Sequence, residues 1–141
     1  ENYEALADQE SIFEEQAHRI NRLVGKVDVI VTDSPILFSE IYGENNSNDF
    51  RARIWDEHNS HDNFNLFINR GSTFEQQGRI HNLEESKEKD NEIKQMLDEN
   101  SVYYGNYYHR TVPVIIDNIV KTLNRIQAYT EQDEDDEEME L

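Results

Sequence analysis

Read by its apolar and polar positions, the chain is most sharply marked at Val27-Asp28-Val29-Ile30-Val31-Thr32, a short β-branched run that stops on Asp33-Ser34-Pro35. Its shape predicts a strand buried on both faces. Upstream, from 3 to 23, Leu6, Ile12, Phe13, Ala17, Ile20 and Leu23 recur at helical spacing, while Glu10, Glu14, Glu15, Arg19 and Arg22 supply a wet face. This predicts an amphipathic helix closed by Gly25. The connection to the strand is very short, as in α/β units.

Downstream, Ile36 to Tyr42 predicts a short buried helix closed at Gly43, and the cluster 44–49 is a polar turn. A helix over 50–58 would turn Phe50, Ile54 and Trp55 inward. The aromatic run 64–69 predicts a second strand, ending on Arg70-Gly71. A polar segment then precedes Arg79 and a helix over 83–98 with an apolar seam of Ile93, Met96 and Leu97. Val102-Tyr103-Tyr104 is a third strand candidate, and 112–126 a closing amphipathic helix with Pro113 in its first turn. This order implies an α/β fold: a parallel sheet with helical crossovers and three recognisable strands, 27–32 running parallel to 64–69. The expected core unites Val29, Val31, Phe67, Ile68, Ile119 and Leu123.

Composition narrows the picture. With 141 residues, 35% of them hydrophobic, and a mean hydropathy of -0.92, the chain can build one core, placed here in a domain over 1–129. Without cysteine it has no disulfide framework and no thiolate metal site, and no stretch is long enough to span a membrane. It reads as soluble and cytoplasmic. It opens on Glu1 without a charged-then-apolar leader, which fits a processed product, an expressed piece or the back portion of something longer. A net charge of -18 argues against direct binding to nucleic acid or anionic membrane. Eight of the eleven residues 131–141 are acidic and none is basic, so 130–141 is expected to be a disordered acidic tail. Such a tail serves either as a solubilising end or as an arm that docks on a basic protein partner.

Candidate chemistry starts at Asp33. At the carboxyl end of a parallel strand it could hold a magnesium ion or a water beside a phosphate; the alternative is that Asp33-Ser34-Pro35 only ends the strand. Arg70 and Arg79 are placed to meet phosphoryl oxygens, with ordinary surface ion pairs as the alternative. Asp8, Gln9 and Gln16 could face a ligand or solvent. His58 and His61 stand near Asp56, Glu57 and Asp62, but no spacing implies a third metal ligand.

Several of these residues together carry a family resemblance. Asp8-Gln9, Ile12-Phe13, Gln16, Arg19-Ile20, Arg22-Leu23 and Gly25 through Pro35, then Phe64 to Arg70, Gly78-Arg79, Glu84-Glu85, Asp90, Ile93 and Leu97, resemble the P-loop ATPases and nucleotide-kinase-like proteins encoded by tailed bacteriophages. The likeness to this AAA ATPase-like group runs from about 8 to 120. It implies Asp33 as the Walker B acid and magnesium ligand and Arg79 as a catalytic lid arginine. Ser34 and Arg70 would bind phosphate, with ATP and magnesium as cofactors and a host-cell cytoplasmic location. The chemistry implied is transfer or hydrolysis of a γ-phosphate.

The chain departs from that pattern at its start: no G-x-x-x-x-G-K-[ST] occurs anywhere. Without that loop there is no backbone cradle and no lysine for the β/γ oxygens, so the implied P-loop-type sheet is truncated at the N-terminus and the chain alone is expected to be inactive. Two functions follow. One is a remnant or downstream portion of a nucleotide kinase or ATPase, handling nucleotide phosphate when a P-loop is supplied elsewhere. The other is a non-catalytic acidic binding or inhibitor protein that occupies the groove of a basic, nucleic-acid-binding partner as nucleic acid would.

Overall fold

The computed structural model describes residues 8–70 and 80–139. In chain order these form α1 (Gln9–Asn21), α2 (Phe38–Tyr42), α3 (Asn48–Asn59), β1 (Leu66–Asn69), α4 (Ile80–Glu99), β2 (Gly105–Tyr108), a 3-10 turn (His109–Thr111) and α5 (Val112–Met139). They fall into two units, residues 8–65 with 80–104 and residues 66–70 with 105–139.

The first unit is helix packed on helix. Asp8 caps α1 by accepting from the Ser11 N–H, and Ser47 caps α3 by accepting from the Phe50 N–H at 3.1 Å, so both helices start where a side-chain oxygen replaces a missing backbone partner. Their inner faces bury Phe13, Phe50 and Ile54, joined by Ile36 and Leu37 ahead of α2 and by Met96 and Leu97 of α4. Phe13 and Phe50 meet edge to face with centroids 5.5 Å apart. The end of α4 sets the next segment. Ser101 adopts φ 55°, its N–H bonds the Asp98 carbonyl, and the Val102 N–H reaches back to the Leu97 carbonyl at 2.9 Å. This is a Schellman closure, and it returns Val102 to the core.

The second unit holds the only strands among the described residues. β1 and β2 pair in parallel, Leu66 with Gly105 through Asn69 with Tyr108, and the Asn69 side-chain amide adds a bond to the Tyr107 carbonyl. In α5, Ile115 is buried while Val112, Ile119 and Leu123 are half-buried on the same stripe. From 124 to 139 every residue is exposed, so the helix there rests on its own backbone bonds. It thus carries through the acidic segment at which composition starts a tail.

The expected three-stranded, P-loop-type α/β sheet is overturned: the fold is mostly helical, with two four-residue strands. Residues 27–32 form no strand. Their one ladder contact is an isolated bridge between Val24 and Val27, around a turn in which Gly25 takes φ 78°. Residues 64–69 therefore do not pair with them; 66–69 pair with 105–108, directly after the third strand candidate at 102–104. β-branched residues favour a strand only when a neighbouring backbone completes the ladder, and among the described residues none pairs along this run. The expected shared core fails with it. Val29, Val31 and Ile68 are exposed, while Phe67, Ile119 and Leu123 are half-buried.

Candidate functional site

Asp33 and Ser34 are brought together, in a surface turn rather than at a strand end. The Ser34 backbone N–H donates to Thr32 Oγ1 at 3.0 Å, and Ser34 Oγ donates to Asp33 Oδ1 at 3.3 Å. A hydroxyl two residues back thus mimics a backbone turn and holds the pair in place. Both residues are exposed, which leaves the carboxylate open to water. Arg70 directly follows β1 in the other unit, and Arg79 lies outside the described residues.

The first-helix candidates have structural work. Asp8 is the cap of α1, and Gln9 is buried with its amide donating to Ser39 Oγ. Gln16 Oε1 is also buried, with no hydrogen-bond partner among the described residues. Arg53 of α3 bridges Glu10 and Glu14 at 2.6 and 2.8 Å, tying two helices at the surface. These exposed pairs order side chains more than they add stability.

The histidine pair gains no third ligand among the described residues, where no group of three His, Cys, Asp or Glu side chains able to hold an ion occurs. His61 Nε2 lies 3.0 Å from Glu57 Oε1, which also accepts from Asn21 Nδ2 at 2.6 Å. His58 instead meets Trp55 edge on, with centroids 5.8 Å apart. Burial, followed by the charge of His61, lowers the His58 pKa below its ordinary value, so the ring is neutral at neutral pH.

Around Trp55 and His58 the first unit opens into a cleft of about 510 Å³, lined also by Phe64 and Tyr103. From the sequence alone Trp55 falls to the core and Phe64 and Tyr103 to strands, so the cleft goes unseen. The available signal was the density of asparagines beside those aromatics: Asn59, Asn63 and Asn65 on one segment and Asn100 on the other. No protein-family model, curated protein or solved structure matches the chain.

Proposed function

We propose that the chain is the phosphate-facing part of a nucleotide-handling protein, dependent on a glycine-rich phosphate loop supplied by another segment or chain. One observation carries the reading. The apolar run ending at Val31 stays uncovered, with Val31 itself 90% exposed, and it leads straight into the turn that presents Asp33. Burying a valine contributes about 1.5–3 kcal/mol, so this run gains from contact with another apolar segment. Such contact sets Asp33 and Ser34 at the edge of the incoming segment. There Asp33 can order a magnesium ion or its water, with the Ser34 hydroxyl beside it.

The test is magnesium-dependent ATP turnover. The chain alone is expected to give none. Expressed with the polypeptide encoded directly upstream of Glu1, it should give turnover that Asp33→Ala abolishes. Robust turnover by the chain alone, lost in Asp33→Ala, overturns the dependence on a supplied loop; an upstream polypeptide without a glycine-rich loop overturns the reading itself.

A second reading is favoured by a different feature. Residues 131–138 of α5 carry seven acids and no base, and all are exposed. An acidic helical rod of this kind supports a non-catalytic protein that engages a basic, nucleic-acid-binding partner by charge.

A further inference from the structure

The cleft of the first unit differs in chemistry from the rest of the molecule. In a chain with 31% charged residues and a net charge of -18, not one of the ten described residues that line it is Asp, Glu, Lys or Arg. A site so cleared of charge suits an uncharged ligand. Its volume, about 510 Å³, falls within the range of roughly 300–1,000 Å³ typical of small-molecule sites. Phe64 and Tyr103 stand 62% and 83% exposed, and aromatic faces left this wet gain most by stacking on a flat partner.

The polar groups are fixed in one sense. Asn63 spends its amide N–H groups on the carbonyls of His58 and His61, at 2.6 and 2.9 Å. Asn65 gives one to the Tyr103 carbonyl and Asn100 one to the Met96 carbonyl, at 3.3 and 2.8 Å. Each of these three side chains keeps its Oδ1 as an acceptor. Asn59 makes no side-chain hydrogen bond within the described residues, so it can donate and accept. The cleft is therefore aromatic, neutral and rich in acceptors.

We propose that this cleft binds a nucleobase, stacked on Phe64 or Tyr103, and that it favours bases bearing an exocyclic amino group. Stacking is tolerant of base identity because every base has a π face; the asparagine oxygens supply the choice, since an exocyclic amino group offers them two N–H donors where uracil offers the single N3–H. A carbohydrate fits less well. No described lining residue is a carboxylate, so its hydroxyls would find no charge-assisted acceptor there. The inference goes beyond the phosphate reading and holds whether or not Asp33 acts on a nucleotide.

The sole tryptophan of the chain is the reporter, since Trp55 lines the cleft. Adenosine, uridine, ATP and maltose are titrated while the Trp55 indole N–H resonance is followed by NMR. Adenosine should shift it saturably, uridine should bind several-fold more weakly, and ATP no more tightly than adenosine, because its phosphates enter a negative field. Tyr103→Ala and Phe64→Ala remove exposed rings and leave the fold intact; at least one should weaken adenosine by about tenfold. The proposal is overturned if adenosine leaves Trp55 unmoved, if both variants bind it as the parent does, or if maltose binds in its place. Because adenosine carries no phosphate, failure here leaves the turnover experiment on Asp33 standing, and the reverse is also true.

Discussion

Gln9 and Ser39, thirty positions apart, are joined inside the first unit by a 3.1 Å hydrogen bond from Gln9 Nε2 to Ser39 Oγ. Both are buried, and Ser39 is fully so. The bond fastens the first residue of α1 to the short helix α2, which Asn46 also grips by donating to the Ser39 carbonyl at 2.9 Å. A five-residue helix has little stability of its own, so its position depends on such contacts. Ser39→Ala is expected to cost about 1–3 kcal/mol, since it leaves a buried amide donor without its acceptor. Gln9→Met in the same background should recover part of that loss by removing the stranded donor. Urea denaturation of the two single variants and the double variant measures the coupling; strict additivity would show that the bond contributes nothing specific.

Ile54 and Val31 make a second comparison. Ile54 is completely buried between α1, α2 and the end of α4, and Ile54→Ala should destabilise by about 2–5 kcal/mol through lost burial and a residual cavity. Val31→Ala, at an exposed position, should change stability by no more than about 0.5 kcal/mol. A large loss at Val31 in the isolated chain would mean that the run 27–31 is packed after all.

The contrast also explains what could be read from the sequence. The helices were legible because their signal is local: the spacing of Phe13, Ala17 and Ile20, or of Ile93, Met96 and Leu97, marks the buried face without reference to the rest of the chain. The strand over 27–32 was not, because β-branched residues state a preference whose fulfilment depends on a distant backbone. The turn at Asp33-Ser34 was legible as turn chemistry, though not as a strand end. The cleft was hidden for another reason. Asn63 and Asn100 lie far apart in sequence, and only the Schellman closure at Ser101 turns Tyr103 back toward Asn65. Beyond 129 composition pointed to a tail, while glutamate is a good helix former and α5 continues through it.

His58 gives the pH dependence. Its folded-state pKa is lowered, by burial first and His61 second, relative to the ordinary 6.5. When the pH falls below about 6.5 the unfolded chain takes up a proton that the folded chain resists, so the unfolded state is favoured. The neutral ring's contribution is thus fully present above the unfolded pKa and is lost as the pH falls toward the lower folded value. His58→Gln should flatten the decline in thermal midpoint between pH 7.5 and the acid side of that window relative to the parent. Parallel curves for the two proteins would show that His58 does not carry this dependence.

The acidic end of α5 sets the last prediction. Glu131 and Asp135, Asp133 and Glu137, and Glu134 and Glu138 each stand one helical turn apart, and all lie toward the helix end where the backbone dipole is itself negative. Among the described residues nothing apolar packs there, so this segment is held by backbone bonds against its own repulsion. Screening extends over about 8–10 Å at physiological ionic strength, more than the spacing of these pairs, so added salt should raise the helicity of 131–139, read from backbone chemical shifts. A basic partner should do the same more strongly by neutralising the charges directly. Deleting 131–141 should leave the denaturation midpoint of the rest nearly unchanged while lowering affinity for a basic DNA-binding protein and flattening its dependence on salt. If the shortened chain binds such a protein with the parent's affinity and salt slope, the acidic rod is not the docking element, and the second functional reading falls with it.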